Sequence, residues 1–331
     1  KTSAVVMRLQ ATHRIILTGT PVQNHLGELW NLFQFVNPGL LGSFEDFNRR
    51  FIVPIEQNGD KDVQNKLDKL VKPFMLRRTK DKVAKELPDK EEIYQHVDLS
   101  EEELLVYEAI RQRAEAMLME EGSGKVSMTT LAEITRLRQC ACDIRLIEND
   151  KKGKGSKQGS KIIALVELLS TILESFDKQR GGVLVFSQFP SYLALIKRAL
   201  EEAGISYLYI DGAVTIKERQ RLVEEFQSGK CPVFLISLKA GGLGLNLTRA
   251  NYVVHMDPWW NPAIEAQATD RAHRIGQKSN VTVYHLIAGS TIEEKIQRMH
   301  EQKRQLVEDV LARTDMSHKM TGEDLLRLVH S

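Results

Sequence analysis

The chain has 331 residues and a formal net charge of only +2, with 42% hydrophobic and 27% charged residues. That balance describes an ordinary globular protein, and no apolar run approaches the ~20 residues that a membrane-crossing helix needs. It also excludes long-range attraction to a polyanion by total charge, so any basic face has to be local.

Three cysteines, Cys140, Cys142 and Cys231, with no CxxC pair, speak against a zinc site or a disulfide framework. They point to packed thiols in a reducing compartment, cytoplasmic if the protein is bacterial and nuclear if it is eukaryotic. No metal site is expected. Lys1-Thr2-Ser3 is followed by a short helical pattern and not by the apolar core of a signal peptide. The missing initiator Met leads us to expect a piece of a longer chain.

In chain order, residues 13–18 (His-Arg-Ile-Ile-Leu-Thr) read as a buried strand ended by Gly19-Thr20-Pro21. Asn24 is expected to cap a helix whose Leu26, Leu29, Trp30, Phe33 and Val36 form one apolar stripe, stopped by Pro38-Gly39. Ser43 and Asp46 form a capping box for a helix through Arg50 and Phe51. Asp60 opens another toward Leu70, ended by Pro73. The run from Phe74 to Lys80 is dense in cations, which by itself reads as a solvated face.

Residues 90–98 alternate weakly and read as a strand or an extended crossing. Ser100 and Glu103 cap a long helix to about Glu121, and a second covers 129–147. Two long amphipathic helices with short connections suggest a helical insertion outside any sheet. Residues 149–160 are a polar Gly/Lys/Ser linker.

Beyond the linker the pattern changes. A helix over 161–176 precedes strand 183–187, helix 191–203 ends at Gly204, and strand 206–210 leads to helix 215–228. Strand 232–236, a glycine-rich loop, strand 252–256, helix 261–274 and strand 281–287 follow. Strict alternation with apolar strands predicts an α/β three-layer parallel sheet covered on both faces. Ser290 and Glu293 cap a final helix to about Arg313, and residues 321–329 read as a short last helix.

The stretch from Ser237 to Gln277 carries the chemistry. Gly241, Gly242 and Gly244 let backbone approach a ligand closely, and the loop falls at a strand's carboxyl end, where open sheets bind ligands. On a helix over 261–274, Gln267, Arg271 and Arg274 would share one face at i, i+4 and i+7. Two guanidiniums beside a backbone-donor loop suit a triphosphate or a nucleic-acid backbone. Alone, the two arginines could equally form surface ion pairs with Asp270 or Glu265. Trp259-Trp260, between Pro258 and Pro262, either fills the core or presents a ring to a base.

A P-loop is missing. The nearest match, Gly122-Ser-Gly-Lys125, has Met119 for its first glycine, Val126 after the lysine, and a place between two helices. No acidic pair follows a buried strand to hold magnesium, so the chain alone is expected not to hydrolyse ATP.

These segments closely resemble the SWI/SNF-type family of ATP-dependent double-stranded-DNA translocases, relatives of the superfamily-two helicases. The matching blocks are Leu17-Thr-Gly-Thr-Pro21, Asn24 with Glu28-Leu-Trp30, Leu76-Arg-Arg-Thr-Lys80, Val185-Phe-Ser-Gln-Phe189, Ser237 to Thr248, Asp257 to Pro262, Gln267 to Gln277, and Ser290 to Ile296. The resemblance covers almost the whole chain.

It implies two RecA-like lobes with ATP and magnesium between them, held mainly by a first lobe whose P-loop and acidic box lie upstream of Lys1. Residues 1–75 would be the remnant of lobe one, 76–148 a helical protrusion, 149–160 a linker and 161–331 lobe two. Gln267, Arg271 and Arg274 would complete the ATP site, with Gly242, Gly244 and Asn246 near the nucleotide. Ser187, Gln188, Ser237, Lys239, Thr248 and Trp259 would line the DNA track, which Asn246 also borders. Thr18, Gly19, Thr20, Arg77 and Arg78 would couple ATP state to DNA.

Double-stranded DNA, contacted through its phosphates, and the first lobe in cis are the implied partners; no membrane is. Strand 13–18, without the sheet it would join, is expected to leave residues 1–40 loose or prone to self-association. The sequence departs from the family at Cys142-Asp143-Ile144-Arg145, where members often read Cys-x-His-Pro. The compact layout resembles bacterial members more than eukaryotic ones. A non-catalytic scaffold module and an RNA helicase lobe are the other readings.

Overall fold

The computed structural model describes residues 5–18, 25–76, 78, 80, 84–121, 127–147, 157–175, 181–241 and 244–311. Among these the chain divides into two compact units, one up to residue 80 together with residues from His300 onward, the other from Ala84 to Met299.

The first unit is helical. Helix α1 (Leu26–Val36) buries Leu26, Leu29 and Phe33. Its N-cap residue, His25, offers no side-chain bond; Glu56 accepts the Leu26 N–H at 2.6 Å instead. Asn24, the expected cap, lies outside the described residues.

Ser43 does cap α2 (Phe44–Phe47), accepting the Asp46 N–H at 3.1 Å. The chain then continues as a π-helix over Asn48–Gln57 that contains Pro54, which has no N–H for an ordinary helical bond. Asp60 caps α3 (Lys61–Val71). Phe47, Phe51, Ile55, Leu67 and Val71 join the α1 residues in one core.

Residues 13–18 are not a strand. Ile15 and Leu17 are 78% and 93% exposed, because an apolar run becomes a strand only where a neighbour pairs its N–H and C=O groups. Within residues 1–40, expected to be loose, α1 packs into the core of this unit and Arg14 donates to the Phe35 carbonyl at 3.1 Å.

The second unit is a RecA-like α/β layer structure. Its six strands are β1 (Lys90–Val97), β2 (Val183–Ser187), β3 (Tyr207–Ile210), β4 (Val233–Ser237), β5 (Tyr252–His255) and β6 (Val281–Ala288). They lie in the order β1-β6-β5-β2-β4-β3, with every pairing parallel.

The core strands are buried on both sides, which explains their unbroken apolar sequences. Leu184 and Phe186 face Leu222 and Phe226 of α8 (Ile216–Gln227), and a short helix, α9 (Leu238–Gly241), follows β4. Val183 and Val185 face Ile162, Leu165 and Leu169 of α6 (Ser160–Ser175) and Tyr192 and Leu193 of α7 (Pro190–Glu202). Gly204 has the positive φ of a helix stop, 69°.

The sheet unit begins at Ala84 and not at Lys161, because β1 is an edge strand in register with β6 from Lys90↔Val281 to Val97↔Ala288. Helices α4 (Glu101–Glu121) and α5 (Met128–Cys142) follow that strand inside the same unit. The expected Ser100–Glu103 capping box is present. Residues 122–126, the rejected P-loop match, and most of the linker lie outside the described residues, as does the predicted helix over 321–329.

Where the sequence departs from the family, Asp143 caps a short 3-10 turn and its carboxylate takes bonds from Arg145 Nε and Nη2 at 2.9 and 2.7 Å.

Lys161, fully buried, donates to Glu293 Oε2 at 2.6 Å and to the Met256 carbonyl. Glu293 also accepts the Ala288 N–H at 2.9 Å. One ion pair thus ties the start of α6 to the ends of β5 and β6 and to the start of α11 (Ile292–Leu311). Thr291, not Ser290, caps α11 by accepting the Glu293 N–H at 3.1 Å.

Candidate functional site

Six parallel strands bring their carboxyl ends to one edge, where the residues just after β2, β4 and β5 gather. The loop through Thr248 and the turn of Arg271 and Arg274 meet instead toward the amino ends of β5 and β6. After β2, the Ser187 hydroxyl accepts the Phe189 N–H at 3.1 Å, and Asp257, just past β5, accepts the Gln188 N–H at 3.2 Å. Ser187 and Ser237 are buried at 1% and 3% exposure, so they brace this edge from within. Gln188 Nε2 is buried and has no hydrogen-bond partner among the described residues.

The segment after β5 is held from three sides. Arg138 of α5 donates to the Pro258 carbonyl at 2.7 Å, and Glu265 accepts the Trp259 N–H at 2.5 Å. Asn261 accepts the Ala263 N–H at 2.9 Å and so starts α10 (Pro262–Thr269). Under α10 four rings lie in register across β1, β6, β5 and β2: Tyr94, His285, His255 and Phe186, with centroids 4.6, 5.0 and 5.5 Å apart. His255 Nε2 shares a 2.9 Å hydrogen bond with Thr269 at the helix's last residue.

That last residue corrects the sequence reading. The helix ends at Thr269, with Asp270 as its cap, and does not continue to Arg274. Gln267 is helical, but Arg271 and Arg274 are in the turn beyond, so the three do not share one helical face.

The turn forms because its backbone is drawn into other bonds. Leu247 N–H donates to the Arg271 carbonyl at 3.0 Å, and Gln277 Nε2 donates to the Ala250 and Ala272 carbonyls at 2.7 and 3.2 Å. Gly276 sits at φ +103°, a conformation that favours glycine. The glycine-rich loop and the arginine turn are thereby laced together.

Arg274 is exposed, whereas Arg271 is 9% exposed. Burial, and then the neighbouring Arg274 charge, hold the Arg271 guanidinium below its ordinary pKa, with Asp270 opposing. Gly244 has φ +75° and no atom within 4 Å of where a Cβ would stand, and Asn246 is exposed. Guanidinium, amide and open backbone together suit phosphate oxygens.

The chain matches the SNF2-related domain over residues 1–146 and the helicase conserved C-terminal domain over residues 160–276. The Sulfolobus solfataricus SWI2/SNF2 ATPase core domain is 31% identical, with a TM-score of 0.57 over 99% of this chain and 67% of that one. The chain belongs to the SWI2/SNF2 family.

The same Sulfolobus solfataricus SWI2/SNF2 core in complex with double-stranded DNA is 32% identical, with a TM-score of 0.56 over 93% of this chain and 64% of its own. The Bacillus subtilis protein YwqA, which bears the name of an ATP-dependent helicase/translocase, is 37% identical over 99% of this chain and 36% of its own length. The chain spans about a third of the length of the curated relatives it matches.

Within this SWI2/SNF2 chain the other expected residues are placed as follows. Thr248 is half-buried and accepts Gln227 Nε2 at 3.3 Å. Trp259 packs against the sheet core with Arg138 over its ring at 5.6 Å. Thr18 and Arg78 are exposed in the first unit. Gly19, Thr20, Arg77 and Gly242 lie outside the described residues, as does the Lys239 side chain.

Sequence reasoning missed Arg138, Asp257 and Glu265 as organisers of the carboxyl edge, and Gln277 as organiser of the turn before β6. Asp257 and Gln277 stood inside quoted motifs, and only their positions hinted at a role. Arg138 gave no local signal, since its partner Pro258 is 120 residues away.

Proposed function

We propose that this chain is the C-terminal part of an ATP-dependent translocase on double-stranded DNA and supplies arginine fingers to a nucleotide gripped by another lobe. The observation that carries this reading is the lacing of the 270–277 turn to the 244–250 loop, which runs from the carboxyl side of β4 to the amino end of β5. It ties the turn that carries Arg271 and exposed Arg274 to the loop that opens with Gly244.

ATP is the substrate in this proposal, with Gln267, Arg271 and Arg274 toward its phosphates and Gly242, Gly244 and Asn246 alongside. Magnesium would supply charge neutralisation at the phosphates; the guanidinium, amide and backbone donors here suit phosphate, and acids of the other lobe would hold the ion. Gln188, Lys239, Thr248 and Trp259 would face the DNA backbone, with Ser187 and Ser237 bracing them. Thr18, Gly19, Thr20, Arg77 and Arg78 would relay nucleotide state in the first unit. Fingers that engage phosphate mainly in a closed arrangement bias the open–closed equilibrium, which is what drives stepping. The DNA-bound Sulfolobus core and the relatives' helicase/translocase names support the reading.

The test is Arg271→Ala and Arg274→Ala in the full-length parent. ATP turnover is expected to fall on the order of 10³-fold, the worth of an arginine finger. Nucleotide-free DNA affinity should stay within about two-fold, because those side chains are not assigned to phosphates of DNA. Turnover that stays within a few-fold rejects the fingers. A wild-type parent without ATP turnover points to a scaffold.

A further inference from the structure

We propose that Arg138 is a positioning residue that locks the loop after β2 to the segment after β5, and so holds the DNA-facing side chains in register with α10. The inference rests on the function proposed above.

Arg138 is 5% exposed, yet among the described residues no carboxylate comes within 4 Å of it as an ion-pair partner. Its surroundings are instead aromatic. The guanidinium lies 4.4 Å from the ring centroid of Trp260, 5.6 Å from that of Trp259 and 5.8 Å from that of Phe189. Its one hydrogen bond from Nη2, at 2.7 Å, goes to the Pro258 carbonyl.

A planar cation that stacks and donates in its own plane can satisfy three rings and a carbonyl at once; a lysine ammonium cannot. Burial pulls the pKa of Arg138 down, and the nearby Asp257 carboxylate opposes that pull. Asp257 is the group that accepts the Gln188 N–H, so the same charge that attracts Arg138 also anchors the β2 loop. Phe189 belongs to that loop, and Trp259 and Trp260 to the other.

The consequence reaches α10. Trp259, under the guanidinium, gives its N–H to Glu265, two residues before Gln267 and one turn before Thr269 on the same helix. A shift of the Pro258–Trp260 segment therefore moves Trp259 relative to Gln188 and strains the helix leading to Arg271. Helix α5 sits in what the sequence suggested was a separate protrusion. Through Arg138 it becomes part of the working edge.

The experiment uses the full-length parent with Trp30→Phe, which leaves Trp259 and Trp260 as the only tryptophans of this stretch, since the chain has three. Arg138→Lys keeps the charge and removes the plane. We expect acrylamide quenching of the tryptophans to rise at least about two-fold in the folded variant, as the stacked cover is lost. The DNA concentration for half-maximal ATPase stimulation should rise about five-fold or more, with the KM for ATP within about two-fold, because orientation is lost and not nucleotide contact.

A stable Arg138→Lys protein with unchanged quenching and unchanged DNA half-saturation overturns the proposal. If that variant does not fold, Trp260→Leu removes the nearest ring, and Trp259 quenching with DNA half-saturation is read in the same way. A wild-type parent whose ATP turnover ignores DNA refutes the function proposed above. The quenching result still decides whether Arg138 holds the segment.

Discussion

Lys161 and Glu293 show what a buried charge does in this protein. Both are almost wholly enclosed, and their ion pair is extended by the Met256 carbonyl and the Ala288 N–H. Removing one partner leaves the other charged and unsolvated, so Lys161→Met is expected to cost about 3–5 kcal/mol in urea unfolding. Adding Glu293→Gln to that variant should cost far less than Glu293→Gln does alone, because the charge it removes has already lost its partner.

Glu265 makes a second prediction at this scale. Burial raises its pKa to about 8, the Trp259 N–H opposing. The native carboxyl then holds a proton that the unfolded chain has released above its ordinary value of 4.5. Its contribution to stability is full below that value and is lost as pH rises toward about 8. Glu265→Gln, which can still accept the Trp259 N–H, should flatten this part of the stability–pH curve. A wild-type and variant pair with parallel curves from pH 5 to 8 would contradict the assignment.

Among elements, the turn after α10 decides most. Its geometry depends on Gly276 at φ +103°, close to the Thr248 methyl, and on the Gln277 side chain. Gly276→Ala should cost roughly 1–2 kcal/mol through backbone strain, read as a lower urea midpoint at unchanged m. If the loop lacing carries function, the same variant should lower ATP turnover in the parent more than its stability loss explains. The π-helix at Asn48–Gln57 and the 3-10 turn at Ile144–Leu146 are further places where one residue reshapes an element: Pro54 by lacking an N–H, Asp143 by offering a carboxylate.

For the whole molecule, the proposal that another lobe grips the nucleotide makes a direct prediction. The 331-residue chain on its own should release no phosphate from ATP above background, with or without DNA. Measurable turnover by this chain would remove the basis of the proposed function. With net charge only +2, the proposed DNA binding would come from a local set of cations and hydrogen-bond donors. Affinity should therefore fall linearly on a log–log plot against salt and vary little with base sequence. A strong sequence preference would mean base-edge contacts that the proposal does not include.

What the sequence by itself determined was whatever is encoded between near neighbours. Apolar runs punctuated by turns placed β2 to β6, and Ser43, Asp60 and Ser100 marked helix starts that the structure keeps. The start of the Gly-rich loop could be assigned to the carboxyl edge because parallel strands put all their carboxyl ends together. The arginine block meets that loop only where it returns to the amino end of β5. The tertiary structure alone decided the rest. It made β1 an edge strand through β6, kept residues 13–18 from forming a strand, ended α10 at Thr269, and stacked Arg138 on rings from two distant loops. Each of these depends on a partner remote in sequence, and local pattern carries no record of which backbone group or ring will arrive to meet it.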